Sequence, residues 1–121
     1  EALKAAKGHR ARLEAVIGAG FTSFNFQPEV IAAWLNFYVL AQTSSDAHDL
    51  LRLYQRRLHS NLMYDLRPLI GDRAEGAAAR VAGLIDGLYL RQGLARSDTE
   101  HVDATRHVLA LLQIELSGRT Q

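Results

Sequence analysis

The sequence predicts an all-α domain of five helices with no strand, and three observations carry that prediction. Apolar residues recur at helical spacing over nearly the whole chain, only two prolines interrupt its 121 residues, and the breaks between periodic stretches hold turn and helix-start residues. Such a length makes one domain, residues 1–121, with enough chain to bury a real core.

The first helix is expected over about residues 9–24, where Leu13, Val16, Ile17, Gly20, Phe21 and Phe24 share a face. Pro28 suits the first position of a second helix, because its missing N–H would have no partner there anyway. In that helix Val30, Ile31, Trp34, Phe37, Tyr38 and Ala41 lie on one side. Leu35, Val39 and Leu40 make the other side apolar too, so the second helix should be buried. Ser45 or Asp46 can cap a third helix over about residues 46–67. Its inward stripe is Leu51, Tyr54, Leu58, Leu62, Leu66 and Leu69; Arg52, Arg56 and Arg67 fall opposite, and Pro68 with Gly71 ends it. Asp72 and Glu75 form a capping-box pair for a fourth helix, about 73–95, and Ser97 and Glu100 another for a fifth, about 98–117.

Composition narrows the functional classes. Fourteen basic residues against thirteen acidic ones leave a formal charge of +1, unlike a self-sufficient nucleic-acid binder with a concentrated basic face. With no cysteine, disulfide and thiolate chemistry are excluded and a reducing compartment is permitted. No apolar run approaches the roughly 20 residues of a membrane span, and no signal-peptide pattern opens the chain. The first residue is Glu1, which fits a fragment or a processed piece.

The fourth helix carries a row of small residues. Ala79, Gly83 and Gly87 are spaced by four and share a side, with Gly76 nearby. Each helical glycine costs roughly 1 kcal/mol relative to alanine, and close approach of another helix would offset that. The fifth helix is apolar on two sides, Val102, Leu109, Leu112 and Leu116 on one and Ala104, Val108 and Leu111 on another. Helices apolar on two sides are either central in their own domain or shared with a second copy. A two-fold dimer joining the last two helices into a four-helix bundle is therefore expected. Its interface would run along Ala79, Gly83, Gly87 and Leu90 of the fourth helix and Val108 and Leu111 of the fifth.

No catalytic centre is expected. The chain has no G-x-S-x-G elbow and no glycine-rich phosphate loop. His9, His48, His59, His101 and His107 have no metal-ligand spacing, so solvated surface histidines are expected, with neither metal nor cofactor. The aromatic residues are better candidates. Trp34, Phe37 and Tyr38 on the second helix, Phe24 on the first, Tyr54 on the third and Tyr89 on the fourth can line a cavity that receives a quaternary ammonium by cation–π attraction. An ordinary aromatic core accounts for the same residues. Asn61 and Asp65 lie near the apolar stripe of the third helix, and Asp86 lies between the glycine row and the Ile85/Tyr89 face. A carboxylate in such surroundings needs a partner, which a bound cation, an arginine such as Arg91 or a backbone N–H would supply.

Three segments then resemble a known family. Leu84-Ile85-Asp86-Gly87-Leu88-Tyr89-Leu90-Arg91 is similar to the LIDGLWLR stretch in the penultimate helix of BetI-type TetR regulators, with Tyr89 in place of the usual tryptophan. Trp34-Leu35-Asn36-Phe37-Tyr38 resembles the family's W-L-x-F-W segment. Arg57-Leu58-His59-Ser60-Asn61-Leu62 resembles its H-R-L-x-S-N-L stretch, with Arg56 where histidine is common. The resemblance covers roughly residues 9–117. It implies a cytoplasmic TetR C-terminal domain that homodimerises through its last two helices and binds a small-molecule effector, choline in this family, to control glycine betaine synthesis. The effector would sit against Trp34, Tyr38 and Tyr89, with Phe24 and Phe37 shaping the wall and Asp65 or Asp86 as countercharge. The family's N-terminal helix-turn-helix has no counterpart here, so operator DNA would be read only through that missing domain.

Overall fold

A computed structural model describes residues 2–22, 25–95 and 101–118. These form α1 (Ala2–Gly20), α2 (Pro28–Leu40), α3 (Ser45–Ile70), a short 3-10 turn (Gly71–Arg73), α4 (Ala74–Ala95) and α5 (His101–Ser117). Among the described residues there is no strand, as the helical periodicity requires. The Ser97–Glu100 capping pair lies outside them.

The helix ends follow local chemistry. Pro28 opens α2 at its first turn. Ser44, one residue before the expected cap, starts α3 by accepting the Ala47 N–H on its Oγ at 3.3 Å. Pro68 does not end α3: it sits in the last turn, and the helix runs on to Ile70. Gly71 ends it instead, at φ +59, a backbone conformation that side-chain-bearing residues rarely adopt. The expected capping box of α4 is replaced by the 3-10 turn. Glu75 reaches back to α3 and pairs with His59 Nε2 at 2.8 Å.

Packing assigns one face of each helix to the core. On α1 the expected stripe holds, with Leu13, Ile17 and Phe21 buried. Leu62 and Leu66 bury from α3, Ala77, Ala78, Val81, Ile85 and Tyr89 from α4, and Ala104, Val108 and Leu112 from α5. At α4 these residues meet, since it packs against α2, α3 and α5, while α1 lies on α3 and α5. The second helix is not buried on all sides. It docks on α4 through Ile31 and Leu35, leaving Val39 and Leu40 exposed, because it is a short outer helix with neighbours on one flank only. Gly93 makes that docking possible: a Cβ there would collide with the Leu35 side chain and stand 3.1 Å from Ile31 Cγ2.

Polar ties fix the helix pairs. Arg80 grips the Glu115 carboxylate, its Nη2 donating to Oε1 at 2.7 Å, and holds that carboxyl below its usual range. Arg73 Nη1 donates to the Glu115 carbonyl at 2.9 Å, joining the start of α4 to the end of α5.

Candidate functional site

A cleft of about 380 Å³ opens between α1, α2, α3 and α4. Helical periodicity aims its wall residues. Trp34 and Tyr38 are one turn apart on α2, Tyr54, Leu58 and Asn61 follow one face of α3, and Ile85 and Tyr89 are one turn apart on α4. Val16 and Gly20 close the α1 side. Gly20 borders the Tyr89 hydroxyl, which a Cβ there would meet at an ordinary contact distance of 3.8 Å.

Two aromatic groups build the walls. Trp34 lies 5.3 Å from Tyr54, 6.1 Å from Tyr38 and 6.0 Å from Phe37, centroid to centroid. Behind Tyr89, Phe21 stacks at 5.3 Å and Phe26 stands at 5.6 Å. These core rings hold the Tyr89 ring in place. Phe26 carried no weight in the sequence reading. Its signal was available, since it sits just before Pro28 as an apolar residue entering a helix.

Asp86 supplies the charge. One of its carboxylate oxygens, Oδ1, is buried and has no hydrogen-bond partner among the described residues. Burial pushes its carboxyl above the ordinary range. Its field reaches three tyrosines. Burial first and Asp86 second push Tyr38 up to about 12, and the same two causes raise Tyr54. Tyr89 is raised by burial, then by Tyr54, Tyr38 and Asp86. The three phenols thus stay protonated at neutral pH, around a carboxylate with no cationic partner among the described residues.

The structure sorts the expected site residues. Trp34, Tyr38, Tyr54, Asn61 and Tyr89 line one cleft, and Asp86 lies within electrostatic reach of its tyrosines. Phe37 stands behind Trp34 and lines a shallow outer groove with Val30 and Ala33 instead. Phe24 lies outside the described residues. Asp65 belongs elsewhere: it is 2% exposed and accepts hydrogen bonds from His9 Nδ1 at 2.7 Å and Arg12 Nε at 3.0 Å, pinning α1 to α3. Its countercharge is internal. His9 and His59 thus each contact a carboxylate, Asp65 and Glu75 respectively, rather than solvent alone. No group of three or more metal-ligating side chains occurs among the described residues.

The expected dimer residues divide in the same way. Ala79, Gly83 and Leu90 are exposed on α4, Gly87 is half-buried, and a Cβ on Gly83 or Gly87 would meet open space within the protomer. Val108 is fully buried in the chain's own core and cannot face a second copy. Leu111 is half-buried, and the outward apolar residues of α5 are Val102 and Ile114.

Fold and comparison together define the class, an all-helical C-terminal domain of the transcriptional-regulator kind. The chain belongs to the BetI-type transcriptional repressor C-terminal family, whose model matches residues 9–117. It is 42% identical over 119 residues to a protein of Brucella suis biovar 1 (strain 1330) named HTH-type transcriptional regulator BetI, covering 98% of this chain and 60% of that protein. A protein of the same name from Rhizobium meliloti (strain 1021) is 49% identical over 94 residues, 77% of this chain and 46% of that protein. The chain thus spans at most about 60% of the length of these relatives. No solved structure matches. Among the described residues no helix is long and apolar enough to cross a membrane.

Proposed function

We propose that this chain is the effector-binding and dimerising domain of a BetI-type repressor, and that its effector is choline or a similar small quaternary ammonium. The carrying observation is the buried Asp86 Oδ1, without a hydrogen-bond partner among the described residues, within electrostatic reach of Tyr38, Tyr54 and Tyr89. A buried carboxylate without a cation is costly, and aromatic faces attract a desolvated cation by about 2 kcal/mol. A quaternary ammonium answers both, since it has no N–H to satisfy. The cleft's volume lies at the small end of the about 300–1,000 Å³ typical of ligand pockets.

Dimerisation through the exposed row on α4 and the outward residues of α5 would couple two such clefts. Ligand binding that favours one angle between protomers would then change the spacing of two DNA-reading heads, which must match half-sites about one helical turn apart. On this reading those heads lie in the part of the longer HTH-type relatives that this chain does not match. Glycine betaine synthesis genes are the proposed target.

Calorimetry tests the effector claim. Choline and betaine aldehyde should bind, and the neutral carbon isostere of choline should bind at least about tenfold more weakly. Equal affinity for the isostere would mean a sensor of another, lipophilic class, and no binding of any of them would leave a dimerisation module alone.

A further inference from the structure

The cleft also carries a positive side chain that a simple cation does not use. Among the described residues Arg57 is the one basic side chain lining it. Asn61 follows one helical turn later on the same face of α3. Neither forms an ion pair or hydrogen bond with another described residue. Arg10, Arg12, Arg80 and Arg106 each hold a carboxylate, and the other arginines without an ion pair among the described residues, Arg52, Arg56, Arg67 and Arg91, do not line this cleft. The other amide lining the cleft, Asn25, already closes the end of α1, its Nδ2 donating to the Ala19 carbonyl at 3.1 Å.

Arg57 is not the missing partner of Asp86. The pair is not within ion-pairing distance, and burial alone moves the Asp86 carboxyl upward, with no nearby cation pulling it back. The two charges therefore stand apart, negative beside the tyrosines on α4 and positive on α3 beyond Tyr54. Size agrees with a longer occupant. At about 30 Å³ per water-sized group, a trimethylammonium head takes on the order of 120 Å³, which leaves more than half of the roughly 380 Å³ cleft.

Resting on the cation reading above, we infer that the preferred effector is a zwitterion, a quaternary ammonium joined by a short linker to a carboxylate or phosphate, whose anion is held by the Arg57 guanidinium and the Asn61 amide. The guanidinium fork suits either anion in bidentate geometry. A hydroxyl in the same place would leave the guanidinium unanswered.

Calorimetry on the full chain decides it, with choline, glycine betaine and phosphocholine as probes, on the native protein and on Arg57→Gln. At least one zwitterion should bind about tenfold tighter than choline, and whether that is the carboxylate or the phosphate identifies the anion. Arg57→Gln, at an exposed position, should erase that advantage, bringing zwitterion affinity down to that of choline or below it. If choline binds as tightly as both zwitterions, or if Arg57→Gln leaves their order intact, the inference is overturned while the cation reading stands. If none of the three binds, both fall. Circular dichroism confirms that the variant is folded.

Discussion

Trp34 and Tyr54 face each other across the α2–α3 turn, ring centroids 5.3 Å apart and planes inclined by 45°. That contact joins two helices into one aromatic wall, and Trp34 is the largest π-face in it. Trp34→Ala should therefore weaken binding of a quaternary ammonium by about 2 kcal/mol, roughly thirtyfold. Trp34→Phe should retain part of the affinity, because the face survives in smaller form. Calorimetry well below the melting temperature of each variant measures this. Unchanged affinity in Trp34→Ala would place the cation elsewhere.

Asp86 gives an opposed pair of effects on stability and binding. Its carboxyl is raised by burial, so folding favours the neutral form. The associated stability is fully present below the unfolded carboxylate value and is lost as pH rises through the folded value. At neutral pH the ionised group therefore works against the fold. Asp86→Asn should hold or raise the melting temperature at pH 7 and weaken cation binding about tenfold or more. In the native protein, cation affinity should fall as pH drops through the raised Asp86 value, earlier than for an ordinary carboxylate. A melting temperature that falls at pH 7, with affinity intact, would make Asp86 a structural residue.

The helices were readable from the residues because period and punctuation agree along the chain. Pro28 and the Leu13–Ile17–Phe21 stripe are local signals, and the structure keeps them. Tertiary facts were not readable. Asp65 and Asp86 look alike in sequence, each a carboxylate on an apolar helix face. What separates them is that α1 brings His9 and Arg12 to Asp65, while no described hydrogen-bond donor reaches Asp86 Oδ1. Pairing across 56 positions leaves no trace in helical periodicity. The glycines repeat that lesson: the close helix–helix approach inside the protomer falls at Gly93, outside the Ala79–Gly83–Gly87 row, and only packing distinguishes it from Gly83.

Asp65→Ala should show the reverse of the Asp86 pattern. It removes the acceptor shared by His9 and Arg12 and unpins α1 from α3. Arg12 is half-exposed and rehydrates, so the expected loss is about 1–3 kcal/mol, less than for a fully buried pair. Chemical denaturation measures it. Binding by the folded fraction should persist, since Asp65 lies outside the cleft.

Glycine substitutions on α4 separate packing within the protomer from packing between protomers. Gly93→Ala crowds Leu35 and Ile31, and should cost about 1 kcal/mol net, overpacking outweighing the gain in helix propensity. Gly83→Ala meets open space in the protomer and should stabilise it by up to about 1 kcal/mol. If Gly83 is where a second copy approaches, a larger charged side chain there has a different effect. Gly83→Glu should leave the helical spectrum intact and convert a dimer into a monomer in sedimentation velocity, because a carboxylate would be buried against the partner without a cation. A Gly83→Glu protein that sediments as a dimer would move the interface off the Ala79–Gly83–Leu90 row, onto a surface that does not include α4's small residues.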